Sequence, residues 1–263
     1  MVFGSTPADD AIPIGGRLYQ RLARRLFDQL ASGRYAIGDR LPAERELSVE
    51  HNISRPAVRE ALIALEVQGY IEVRVGSGAF VRKLPGSDDR PGFAITAFEL
   101  TEARILFEGE AAALAAVHIT DEELRGLGVL VNQIGQENLL PDVTENADRG
   151  FHMLIAKATR NAAVLLEIEN LWRIRATSPE CALLHDKARS AKVRPVVAEH
   201  SAILDALRAH DPAASRQAMR AHLAAVMDHL LFTDEERAVE EARRQIAGTR
   251  ARFSASFAGA TTR

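Results

Sequence analysis

Leu18, Leu22, Leu26 and Leu30 recur every fourth residue, and this beat predicts an amphipathic helix over residues 17–32. Arg21, Arg24 and Arg25 lie off the apolar stripe, where they read as a solvated face. Pro42 suits the first turn of a second helix, because a missing N–H costs nothing there, and Ala43 to His51 are good helix formers. Asn52 breaks that run. Ser54 is a natural N-cap for a third helix reaching about Gln68, in which Val58, Leu62 and Leu65 share one buried stripe. Arg55 and Arg59 sit four apart on another face, near the start of that helix. Beyond Gly69 the period changes to two: Tyr70, Ile71 and Val73, then Gly76-Ser77-Gly78, then Ala79, Phe80 and Val81. Alternation around a Gly-tipped turn predicts a β-hairpin. Helix, turn, helix and hairpin within residues 17–83 together predict a winged helix-turn-helix.

The next stretch changes character. Residues 84–92, with prolines, glycines and a charge cluster, read as a linker. From Phe93 onward the apolar period is helical. Helices are expected over Phe98–His118, from a Thr120-x-x-Glu123 capping box to about Gln136, and over 143–158, 161–176, 190–208 and 212 to about 232. Ser178-Pro179 reads as a break, and Asp211-Pro212 as an N-cap followed by proline at the first helical position. Six or seven helices with short connections make residues 93–233 a bundle. Residues 1–16 are expected to be a mobile arm, and 234–263 a charged, partly disordered tail. The expected fold class is mainly α: an N-terminal winged helix-turn-helix followed by an all-α bundle.

Composition narrows the class. Hydrophobic content of 47% and charged content of 26% are ordinary for a globular chain of 263 residues, and only 5% aromatic residues favours helices over sheets. The single cysteine, Cys181, excludes an intramolecular disulfide and fits a reducing, cytoplasmic setting. No apolar run approaches the roughly 20 residues needed to span a bilayer, and no signal peptide is evident, so no membrane partner is expected. A net charge of −3 does not advertise a DNA binder. Residues 17–83, however, hold twelve Lys+Arg against eight Asp+Glu, a net of +4, with −2 before them and −5 after. Positive charge is thus concentrated where a phosphate-binding module requires it. Guanidinium forks at Arg55 and Arg59 would match the O6 and N7 acceptors of guanine in the major groove.

Several segments carry a family resemblance: LPAEREL (Leu41–Leu47), SRPAVREAL (Ser54–Leu62) and GYIEVRVGSGAFV (Gly69–Val81). They resemble the DNA-binding half of the GntR family of bacterial transcriptional regulators. The resemblance implies DNA contacts from Arg45, Ser54, Arg55, Arg59 and the wing tip at Gly76.

A second constellation lies in the helical half. Asp148 and His152, at i and i+4, share one helix face, and further histidines follow on the next helices. One carboxylate and three imidazoles converging from three helices would make a divalent-metal site. The chain has eight histidines, and spacing alone does not choose His200 and His222 over His210 and His229. Residues 97–232, through E-x-R-x-x-x-E (Glu102–Glu108), D-R-x-F-H (Asp148–His152), E-H-x-x-I (Glu199–Ile203) and A-M-R-x-H-L (Ala218–Leu223), resemble the effector-binding domain of FadR-type members. That domain binds metal through an aspartate and three histidines, which the resemblance places at Asp148, His152, His200 and His222. Zinc is the expected ion, with nickel or manganese as alternatives. The prototype acyl-CoA regulator lacks this set, so the resemblance points to the metal-containing branch.

Arg104 and Glu108 read by themselves as an i,i+4 ion pair on a solvated face. In the family the arginine at this position reaches the ligand cavity, where a guanidinium can hold a carboxylate bidentately. Trp172 and Arg175 are candidates for the border of that cavity, with a core role for Trp172 as the alternative. The stretch Asn161–Arg175 looks closest to hexuronate- and hexonate-responsive members. The resulting expectation is a non-enzymatic, homodimeric repressor that binds an inverted-repeat operator and is released by a sugar acid. The alternative is a metal-dependent hydrolase or lyase acting on sugar acids, with an accessory DNA-binding module. It lacks an evident general base or nucleophile motif, and four protein ligands suit catalysis less than an open position does.

Overall fold

The computed structural model describes residues 18–74, 77–140, 146–190 and 194–228. The expected arm, the wing tip at Gly76 and the expected tail lie outside these residues. The chain divides into two compact units, residues 1–93 and 94–263.

In the first unit, α1 (Leu18–Ala31) buries Tyr19, Leu22, Ala23, Leu26, Phe27 and Leu30. Leu22, Leu26 and Leu30 lie in the core as expected, whereas Leu18, at the first position of the helix, is exposed. α2 (Glu44–His51) ends at Asn52, whose φ of 51° is the left-handed conformation that asparagine tolerates, and α3 (Arg55–Val67) follows directly. The Ser54 hydroxyl accepts the Ala57 N–H, and Pro56 occupies the first turn, where its missing donor is harmless. Val58, Leu62 and Leu65 are buried against α1 and the hairpin. β1 (Ile71–Arg74) and β2 (Gly78–Val81) pair antiparallel, with Ile71 opposite Val81 and Arg74 opposite Gly78. Arg40 adds a one-residue bridge to Phe80. Residues of the expected linker are fastened to this unit. Asp89 accepts from the Tyr70 hydroxyl (3.1 Å) and the Gly86 N–H (3.0 Å), the Gln68 amide exchanges two hydrogen bonds with Gly92, and Phe93 meets Tyr19 edge-on.

The second unit is all helical among the described residues. It runs α4 (Ala97–His118), α5 (Asp121–Glu137), α6 (Asn146–Ala158), α7 (Ala162–Thr177), α8 (Pro179–Ser190), α9 (Val197–Arg208) and α10 (residues 212–228). Capping boxes at Thr96/Glu99 and Thr120/Glu123 start α4 and α5, and the Asn161 and Asp211 side chains cap α7 and α10. α8 departs from the expected break at Ser178-Pro179. Proline at a first helical position starts a helix as readily as it stops one. α4 packs on α6, α7 and α9, while α5 packs on α6 and α9. Small residues of α4, Ala112, Ala115 and Ala116, admit Phe151, Ile155, Ile203, Leu207, Met219 and Leu223 to the core. No described helix is long and apolar enough to cross a membrane.

Candidate metal centre and nucleic-acid interface

One end of this core is polar. Asp148 and His152 project from one face of α6, His200 from α9 and His222 from α10, and all four are buried. One donor atom from each lies within 4.8 Å of the others. Spacing could not separate His200 and His222 from His210 and His229. In the structure His210 is committed elsewhere, its Nδ1 bonded to the Ala116 carbonyl, and His229 lies outside the described residues.

Each imidazole of the cluster is anchored through Nδ1. His200 bonds the Val196 carbonyl (2.9 Å), His222 the Glu199 carboxylate (2.8 Å) and His152 the Glu108 carboxylate. These partners only accept, so each Nδ1 is a donor and Nε2 is the nitrogen left for a ligand. His152 Nε2 is buried with no partner among the described residues and lies 3.7 Å from Asp148 Oδ1. His200 Nε2 lies 3.0 Å from the same oxygen. A hydrogen bond from His200 serves that Asp148 oxygen, and a bound cation would join the same atoms in place of the proton. Three imidazoles, each held by an outer partner, together with one carboxylate fit a divalent ion such as zinc.

The local charges agree with that donor set. Burial alone would raise Glu108, but the Arg104 and His152 charges hold its carboxyl at about 2. Asp148 is likewise pushed up by burial and brought well below the usual carboxylate range by the His200 hydrogen bond and the surrounding positive charge. Burial brings His222 down to about 4 against the pull of Glu199. His200 is raised, because its hydrogen bond and charge pairing with Asp148 outweigh burial.

Arg104 sits beside this cluster. Its ion pair with Glu108 is present at 2.6 Å, but both side chains are buried, at 3% and 2% exposure, and the expected solvated face is corrected accordingly. An Ala-rich α4 surrounded by α6, α7 and α9 leaves no solvent at that position. Glu108 therefore couples Arg104 to His152. The Arg104 guanidinium lies 4.3 Å from the Trp172 ring centroid, that of Arg175 lies 4.8 Å from it, and the His152 ring lies 5.2 Å away. Glu108 and Glu199, which orient two of the imidazoles, were not assigned this role from sequence. Glu108 stood in the E-x-R-x-x-x-E motif as the partner of Arg104, and Glu199 acts on a different helix from its own, where no spacing reveals it.

In the first unit Arg45, Ser54 and Arg55 are exposed at the turn and the start of α3. Ser54 spends its hydroxyl on the cap. Arg59, expected to reach outward beside Arg55, is only 7% exposed. Its Nε and terminal nitrogen form a fork on the Glu44 carboxylate at 3.1 and 3.0 Å, and Arg55 lies 3.9 Å from the same group. The physical reason is the close crossing of α2 and α3, which brings Glu44 within bidentate reach.

Residues 18–81 match the family described as bacterial regulatory proteins, gntR family, and residues 99–225 match the FCD domain. Over 213 residues the chain is 39% identical to the Exu regulon transcriptional regulator of Escherichia coli (strain K12), covering 79% of this chain and 82% of that protein. Identity to the Uxu operon regulator of Haemophilus influenzae is 34% over 218 residues, 80% of each chain. Among solved structures, Streptococcus agalactiae GntR is 28% identical, with a TM-score of 0.41, over 79% of this chain and 98% of that one. The two family matches and the identity to the Exu regulon regulator make the chain, a winged helix-turn-helix followed by an FCD bundle, a member of the GntR family of bacterial transcriptional regulators.

Proposed function

We propose that the protein is a homodimeric repressor whose operator binding is relieved by a sugar acid of the hexuronate or hexonate class, held at a metal centre in the FCD domain. The observation that carries this reading is the set of three Nδ1-anchored imidazoles around Asp148, with His152 Nε2 buried and unpartnered. Asp148, His152, His200 and His222 hold the ion, zinc before nickel or manganese. Such an ion supplies a Lewis acid to carboxylate and α-hydroxyl oxygens. Arg104 pairs with the acid's carboxylate, and Glu108 keeps that guanidinium and the His152 ring in fixed orientation. Likeness to the Exu and Uxu regulators and the stretch Asn161–Arg175 support the sugar-acid class.

On DNA, α3 enters the major groove, with Arg55 as base reader and Arg45 and Ser54 at its flank. Glu44 presets Arg59 for the backbone or base edge, and the wing tip at Gly76 approaches the minor groove. Two copies read the half-sites of an inverted repeat. Acid binding repacks the bundle and takes the two recognition helices out of register with successive grooves.

Thermal unfolding of metal-stripped protein, with and without zinc, across hexuronates, hexonates, L-lactate and acyl-CoA tests this reading. A rise in midpoint with zinc, and a further rise with a hexuronate or hexonate only when zinc is present, is expected. Absence of any zinc response contradicts the metal centre, and a response to acyl-CoA alone contradicts the effector class.

A further inference from the structure

Trp172 is the only tryptophan of the chain, is 3% exposed, and its indole N–H is buried with no acceptor on the protein among the described residues. An orphaned buried donor is costly to folding, about 1–3 kcal/mol, and native cores rarely keep one. Its neighbours explain why the protein offers no partner. Arg104 and Arg175, the guanidinia nearest the ring, can only donate. A third neighbour, His152, has Nδ1 bound to Glu108, and its Nε2 is likewise buried without a hydrogen-bond partner among the described residues. A donor and a lone pair are therefore left unsatisfied side by side, on rings 5.2 Å apart. The lone pair requires a Lewis acid, and the indole requires an acceptor oxygen in a positively charged surround.

We infer that Trp172 is a specificity-determining residue of the effector site. Its N–H donates to an oxygen of the acid beyond the metal-binding end, and Arg175 adds charge on the same side. This rests on the effector reading above and deepens it. The ligand class is an acid carrying a second polar oxygen several carbons from its carboxylate, as polyhydroxy acids do. Short 2-hydroxy acids ending in a methyl group lack the acceptor and leave the indole orphaned. Discrimination arises because a site built to hydrogen-bond a group rejects analogues without it. Arg175 also donates to His185 Nε2 at 3.2 Å, which ties α7 to α8 and sets the guanidinium beside the indole.

The test is calorimetric titration of the zinc-loaded full chain with D-galacturonate and with L-lactate, for the wild type and Trp172→Phe, paired with zinc affinity measurements. The phenylalanine keeps an aromatic face for both guanidinia and removes only the N–H and the second ring. Wild type is expected to bind galacturonate at least tenfold more tightly than lactate, with a saturable change in Trp172 emission. In Trp172→Phe the galacturonate Kd is expected to rise about tenfold, the preference over lactate to narrow, and zinc affinity to stay within twofold. An unchanged galacturonate Kd overturns the inference, as does a parallel loss of zinc affinity, which would mark Trp172 as a packing residue. Wild-type protein that holds zinc but binds neither acid overturns the effector reading itself, a result distinct from either outcome in the variant.

Discussion

His152 lies between two carboxylates, Asp148 one turn away and Glu108 at its Nδ1, and its Nε2 has no hydrogen-bond partner among the described residues. His152→Ala removes a proposed metal ligand and the counterpart of a buried carboxylate together. At zinc a hundredfold above its Kd the wild type should gain about 3 kcal/mol, roughly 5–10 °C in Tm for a domain of this size. The variant should show no such gain by differential scanning fluorimetry. A full zinc shift in the variant contradicts the ligand assignment. Acid should destabilise the metal-stripped protein. Glu108, lowered to about 2, gives stability that is present above its ordinary carboxylate value and lost as pH falls through that window. His222, lowered to about 4, binds its proton more readily when unfolded, so its contribution is lost between its ordinary value of 6.5 and 4. His200 is raised and acts oppositely, losing its contribution as pH rises. Between pH 7 and 5 His222 and His200 oppose each other, and only below pH 4.5 does Glu108 add its loss, so the midpoint is predicted lower at pH 3 than at pH 7, readable by circular dichroism. A midpoint at pH 3 equal to or above that at pH 7 contradicts the two lowered groups. Asp148 and His152 were legible as a pair because helical spacing puts them on one face. The choice of His200 and His222 needed either the family motif or three-dimensional convergence, since periodicity along one helix carries no information about its neighbour.

At the scale of elements, local chemistry set most boundaries. Ser54, Thr120, Asn161 and Asp211 all start helices at their expected places, because each spends a side-chain oxygen on an otherwise orphaned N–H. α8 is not legible in the pattern, because Pro179 after Ser178 reads as a break as readily as a helix start. In α1 the leucine beat places Leu22, Leu26 and Leu30 in the core, but four-residue spacing drifts off a true 3.6-residue stripe, so Leu18 falls outside it and Tyr19 and Phe27 share the buried face. Arg59 shows the same limit. Its place on α3 was clear, but its partner Glu44 belongs to another helix fifteen positions earlier. Glu44→Ala should lower the stability of the winged helix by about 1–3 kcal/mol, because a mostly buried guanidinium loses its bidentate acceptor. Operator affinity should fall with it, and urea unfolding alongside anisotropy would record both. Unchanged stability and affinity contradict the clamp. At the hairpin, Gly78 has a φ of 101° and an added Cβ would meet Arg40 Nε at 2.8 Å. Gly78→Ala should therefore cost about 1–3 kcal/mol, measured by the same unfolding transition.

For the whole molecule, the division of labour follows charge. The first unit concentrates the basic residues, and the second carries the buried donors and the acidic excess. Operator binding by Arg45, Arg55 and their neighbours should weaken linearly in log Kd against log salt, through counterion release. A flat salt profile contradicts the phosphate contacts. The account joins this surface to a metal-held acid in the other unit, and one measurement tests that junction most directly. Fluorescence anisotropy of a labelled operator, selected from random duplex DNA, is followed as D-galacturonate is added to zinc-loaded and to metal-stripped protein. The account predicts release of DNA from the zinc-loaded protein at saturating acid, and at least tenfold less response from the stripped protein. Equal release from both preparations, or none from either while zinc remains bound, would contradict it.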